Sequence, residues 1–191
     1  MKNVVFVSLL VTTLLPFKVQ AGPFGFDMGK QASEYGCASM STANMYKCSE
    51  APKEHPAFES YILQSTPKHG VCWIKAVGKN ISDNGYGMST KSVVDGFVEA
   101  FKNSYGENVK KSDFLLSSSI WNEGDEFLMG LVKNERSYNY HWKTTTNSSI
   151  KEIYVAAKGL RSDVGYPVVE YYGTHYDACD SYTDQTVNDV F

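Results

Sequence analysis

Phe58-Glu-Ser-Tyr-Ile-Leu-Gln-Ser-Thr66, Pro67-Lys-His-Gly70 and Val71-Cys-Trp-Ile-Lys-Ala-Val77 form the stretch on which the fold is read. Two β-rich runs joined by a four-residue turn ending in glycine mark a hairpin. Side chains alternate between the faces of a strand, so Cys72, Ile74 and Ala76 are expected on one face. Val71, Trp73, Lys75 and Val77 are expected on the other. Beyond a polar loop, Val94, Phe97, Val98, Phe101 and Tyr105 recur at i, i+3, i+4, i+7 and i+11. That is one apolar stripe on a helix from Ser89 to Tyr105. Ser89 or Thr90 is the expected N-cap, and Gly106 stands where a C-cap glycine belongs. The unit is β-β-α.

Working outward, the polar segment ending at Gly36 reads as one or two helical turns and Asn44 to Cys48 as a short strand. Pro52 and Pro56 make residues 49–56 a surface connection. Downstream, Ser112 to Ile120 fits neither period, with Phe114, Leu115 and Leu116 apolar ahead of a serine run. Asp125 to Arg136 predicts a second helix with Leu128, Leu131 and Val132 inward. Three alternating runs close the chain: 138–142, 153–157 and 166–172. The sum is a single α+β domain over residues 22–191, an antiparallel sheet of five or six strands with two helices packed on one face.

The first residues predict export. Met1-Lys2-Asn3 is a short basic start, and Val4 to Phe17 is apolar but too short for a comfortable membrane span. Val19-Gln20-Ala21 is a small-x-small cleavage site, so residues 1–21 read as a signal peptide. No cysteine stands directly after the cleavage point, where Gly22 lies, which argues against a lipid anchor and leaves no stable membrane anchor after cleavage. Loss of Lys2 and Lys18 with the leader moves the formal net charge from −3 to −5. An acidic chain has no electrostatic reason to bind nucleic acid or an anionic lipid surface, whereas a basic partner is steered toward it.

Cys37, Cys48, Cys72 and Cys179 remain after cleavage, and an even count in an exported chain reads as two disulfides. Three pairings are possible. Closeness in sequence favours Cys37 with Cys48, which leaves Cys72 to tie the hairpin to the C-terminal segment through Cys179.

At Phe24-Gly-Phe-Asp-Met-Gly29 the chain resembles a set of small exported Gram-negative bacterial proteins without assigned activity, which share an FGF-x-MG start after the signal peptide. Tyr61-Ile-Leu-Gln-Ser-Thr-Pro67, Ser119-Ile-Trp121 and Asp177-Ala-Cys179 are similar in style. The resemblance implies the bacterial envelope or its exterior as the setting and transfers no functional residues. A second similarity is to helix-plus-sheet modules of envelope-assembly lipoproteins and β-lactamase-inhibitor proteins, from which Lys30 departs where a second Met often falls.

Candidate chemistries are sparse. Gly85-Tyr-Gly87 lacks the third glycine of a dinucleotide fingerprint and reads as a turn. His175 and Cys179 would share a helix face, as a metal pair or a nucleophile does, but an oxidised cysteine neither attacks nor ligates. There is no H-E-x-x-H and no G-x-S-x-G. Glu123, Asp125 and Glu126 sit at a helix start, where the helix dipole accounts for them. The reading therefore expects no catalytic residue, metal or cofactor. What remains is a crowd of aromatics, with Trp73, Tyr138, Tyr140, Trp142, Tyr171 and Tyr172 as the possible binding surface on the face away from the helices. The leading expectation is a non-enzymatic periplasmic or secreted binding protein: an inhibitor, an immunity-type protein or an envelope accessory factor. Its partner would be another envelope or secreted protein. The alternatives are a small secreted hydrolase with an unfamiliar site and a structural envelope component.

Overall fold

A computed structural model describes residues 22–144 and 149–188. The signal peptide read over residues 1–21 lies outside the described residues. In chain order the elements are β1 (Ala38–Ser39), β2 (Met45–Cys48), β3 (Phe58–Thr66), β4 (Gly70–Gly78) and β5 (Ile81–Ser82). Then come α1 (Met88–Tyr105), β6 (Val109–Leu115), α2 (Phe127–Val132), β7 (Arg136–Lys143), β8 (Ile150–Arg161), β9 (Val164–Gly173) and α3 (Tyr176–Asn188). Among the described residues the strands form one antiparallel sheet in the order β1-β2-β3-β4-β9-β8-β7-β6, with β5 beside β9.

The α+β class and the single sheet stand as read, but among the described residues the sheet has nine strands rather than five or six, and there are three α-helices rather than two. The extra strands have physical reasons for being missed. β1 and β5 are two residues long, too short for any period to show. β6 lies at the edge of the sheet, where half its side chains need not be apolar. α3 carries Asp177, Asp180 and Asp184 and no apolar stripe; the disulfide from Cys72 to Cys179 docks it instead. The other cross-link joins Cys37 to Cys48, so both pairings favoured by the sequence form.

Tyr171 and Tyr172, neighbours on β9, show how the layers lie. Tyr171 meets Phe101 and Tyr105 of α1 with ring centroids 6.2 and 6.4 Å away, while Tyr172 meets Tyr176 of α3 at 4.8 Å. Since successive side chains point to opposite faces, α1 and α3 lie on opposite sides of the sheet. On the α1 side, Ile74, Tyr171, Ile153 and Trp142 form one row across β4, β9, β8 and β7. The predicted stripe of α1 packs on that face: Val94 and Val98 are buried, and Phe97 stacks on Phe58 at 5.3 Å. Gly159 lets α2 sit tightly on β8, for a Cβ there would come 2.5 Å from the carbonyl oxygen of Leu128.

Two local expectations are corrected. The β3–β4 register pairs Gln64 with Trp73 but Ser65 with Val71, so Cys72 is the extra residue of a β-bulge. A bulge resets alternation. Val71 accordingly joins Ile74 and Ala76 in the core cluster, while Cys72 lies outside that cluster and bonds to α3. The second correction concerns the start of α1, where neither Ser89 nor Thr90 is the N-cap. Gly87 takes that position at φ 67°, a left-handed conformation glycine adopts without a Cβ clash. The capping acceptor is Asp83, whose carboxylate receives the backbone N–H of Ser89 at 3.2 Å and of Thr90 at 2.7 Å, and the Thr90 hydroxyl at 2.8 Å.

Candidate binding site on the open face of the sheet

Four of the six aromatic residues read as a possible binding surface lie in the core. Tyr138, Tyr140, Trp142 and Tyr171 are all less than a tenth exposed. The hydroxyls of Tyr138 and Tyr140 donate to Asp95 of α1 at 2.7 and 2.8 Å, and Lys111 donates to Tyr138 at 3.0 Å. The Trp142 indole N–H reaches the carbonyl of Gly106 at 3.1 Å. Burial raises the Tyr138 phenol above its ordinary range, and the hydrogen bonds to Tyr140 and Asp95 push it further. These four are the polar-tipped floor on which α1 rests. Alternation separates the two faces of β7 and β8 as read, but a period of two does not say which face a helix will cover.

Trp73 and Tyr172 do lie on the other face. They are directly opposite each other on β4 and β9, their rings 6.4 Å apart at 59°. Tyr176, from the first turn of α3, meets Tyr172 edge to face at 87°. One step along the strands, Lys75 pairs with Glu170 at 3.2 Å, and Tyr172 donates to the second oxygen of that carboxylate at 2.6 Å. Both oxygens of Glu170 are thus held, and the residue is only 8% exposed. Burial, followed by its hydrogen bond to Glu170 and then that carboxylate's charge, drives the Tyr172 phenol far above its ordinary range, so it stays protonated and a donor. Lys75 also lies 5.9 Å from the Trp73 ring centroid, within cation–π reach. Tyr154 faces Glu170 from β8, and burial raises its phenol as well. Further along β8, burial and then repulsion from Lys75 lower the affinity of Lys158 for its proton.

Between this ladder and α3 runs a groove of about 240 Å³, with Met45, Gln64, Trp73, Tyr176 and Asp180 in its lining. Thr183 of α3 fixes the groove's wall: its hydroxyl accepts from the side-chain amides of Asn44 at 3.2 Å and Gln64 at 3.3 Å. The Trp73 indole N–H is buried with no well-aligned acceptor among the described residues, and its approach to the Tyr172 hydroxyl slightly opposes the rise in that phenol.

Sequence reasoning missed Glu170 and Lys75, and counted Tyr154 and Tyr176 among the crowded aromatics without choosing them for the surface. The signal was present in β9, where Glu170 and Tyr172 share one parity and Val169 and Tyr171 the other. The other candidates fall out as follows. Cys179 is oxidised, and His175 stacks instead on His69 at 5.2 Å. Gly85 accepts the backbone N–H of Leu128 at 3.1 Å, which makes it a seat for α2. Glu126 accepts the backbone N–H of Glu123 at 3.1 Å, as a helix-start carboxylate does. Among the described residues no group of three or more His, Cys, Asp or Glu is placed to hold a metal ion. No protein-family model, curated protein or solved structure matches this chain.

Proposed function

We propose that the protein is an exported, non-enzymatic binding protein that grips another envelope or secreted protein through the open face of its sheet. The reading extends to a periplasmic or secreted inhibitor, immunity-type protein or envelope accessory factor. The observation that carries it is the ladder Trp73–Tyr172–Tyr176 on the open face. Aromatic residues of this kind supply large contact area with few rotatable bonds, the usual make-up of an interface centre. The two disulfides are compatible with an oxidising, exported environment and hold the groove's walls: Cys72 and Cys179 staple α3 to β4. A pre-organised surface of this type loses little ordering entropy on association.

The test is site-directed photo-crosslinking in cells that export the protein. A photoreactive residue at Tyr176 should give a discrete adduct with one partner. The same residue at Glu99, 72% exposed on the α1 side, should not. No adduct from Tyr176, or the same adducts from both sites, would refute the reading.

A further inference from the structure

β6 ends the sheet, and no strand among the described residues pairs with its outer edge. It runs seven residues, Val109-Lys-Lys-Ser-Asp-Phe-Leu115, in unbroken register with β7 and with neither a proline nor a bulge. Phe114 is 54% exposed and Leu116, just beyond, is 41% exposed. The opposite end of the sheet is β1, two residues long. An edge of this length presents a row of free backbone donors and acceptors, which proteins ordinarily cover, interrupt or blunt with charge.

We infer that the occupant of this edge is the same edge of a second copy, joined antiparallel about Ser112. A two-fold axis normal to a sheet keeps each copy's faces on the same sides, so it must fall on a residue. Centred on Ser112, every opposed pair is complementary. Val109 meets Leu115, Lys110 meets Phe114, Lys111 meets Asp113 and Ser112 meets itself. Opposite charges, serine pairs and cation–aromatic contacts all favour directly opposed strand positions. Neighbouring centres fail: on Lys111 two ammonium groups face each other, and on Asp113 two carboxylates do. The lysines that would repel a foreign strand therefore select this register.

The faces agree with this pairing. Lys111 lies over the Tyr138 ring at 4.6 Å, and Asp113 holds Arg136 at 3.0 Å, with Arg136 in turn 4.7 Å from the Phe127 ring. Both therefore stand on the helical side. Lys110 lies with His141 and Lys143 around a shallow cavity of the open face, and Phe114 shares its parity. The result is an isologous dimer in which one sheet runs through both copies and the two open faces lie side by side.

Sedimentation equilibrium of the purified oxidised protein tests this. One shared edge is a small interface, so association is expected to become visible only toward about 100 μM, as a rise in mass toward twice the monomer's. Phe114→Lys sets like charges opposite each other and should abolish the rise. Lys110→Glu combined with Phe114→Lys should restore it. Ser112→Cys should give a disulfide-linked dimer on a non-reducing gel, and Lys110→Cys should not. A wild-type protein that stays monomeric throughout, or a dimer unaffected by Phe114→Lys, would overturn the proposal. Circular dichroism on each variant separates loss of pairing from loss of fold.

Discussion

Tyr172 donates its hydroxyl proton to Glu170 at 2.6 Å, and that bond aims both residues at the open face of the sheet. Lys75 holds the other carboxylate oxygen, so a nearly buried charge is paired on both sides. Glu170→Gln keeps an acceptor for Tyr172 but leaves Lys75 without its counter-ion, with Lys158 nearby. Breaking a fully buried pair costs about 3–5 kcal/mol, and the partial exposure of Lys75 reduces this to about 1–2 kcal/mol. A fall in the urea midpoint with an unchanged m-value is the expected result.

Asp95 is the pin between α1 and the edge of the sheet. Its Oδ1 accepts two tyrosine hydroxyls that are otherwise buried. Asp95→Ala leaves the two hydroxyls only each other, 3.5 Å apart, so one donor is stranded, and at about 1–3 kcal/mol for an unsatisfied group the loss should be of that size. Adding Tyr138→Phe and Tyr140→Phe removes the stranded donor together with its neighbour. The triple variant should therefore recover part of the loss, which a thermodynamic cycle of unfolding free energies measures.

Asp83 sets an acid limit on α1. Burial disfavours its charge, but hydrogen bonds from Thr90, Asn84 and Ser89 outweigh burial and hold the carboxyl below its ordinary value of 3.8. A carboxyl with a depressed folded pKa contributes stability above the unfolded value, and that contribution fades as pH falls through the folded one. Asp83→Ala should cost about 1 kcal/mol at neutral pH, the usual worth of a cap. The gap between variant and wild type should shrink below pH 3.8. A gap that stays constant down to the acid transition would contradict this account.

The cross-links should differ in weight. Cys72–Cys179 closes a separation of 107 residues and Cys37–Cys48 one of 11. On the chain-entropy model the long loop is worth about 4–5 kcal/mol and the short one about 3 kcal/mol. Replacing both members of the long pair by Ala should therefore lower stability more. It should also raise amide exchange in α3 selectively, because the bulged Cys72 is the main tether of a helix without an apolar stripe.

Residues 58–77 and 89–105 carried most of the fold. Their periods of two and 3.6 survive in β3, β4 and α1 because burial enforces them. The bulge at Cys72 was not legible, since a period of two has no symbol for an added residue. The cap from Asp83 was hidden for a related reason: the acceptor stands outside the turn that it caps. Of the aromatic candidates, Trp73 and Tyr172 lie on the open face, whereas Tyr138, Tyr140, Trp142 and Tyr171 became the seat of α1. Each of the four either carries a polar tip with a partner beneath the helix or packs its ring against α1.

Composition and pattern alone determined that this chain makes an α+β sheet protein, which residues of β7 and β8 share a face, and which cysteines lie close enough in sequence to pair. Those are local properties, written in side-chain period and spacing. Which face the helices cover, that α3 closes a groove over Trp73, and that β6 is left as an edge were decided only in three dimensions. They depend on contacts between residues up to 139 positions apart, and such contacts form wherever burial and charge pairing are satisfied together, not where any one segment prefers.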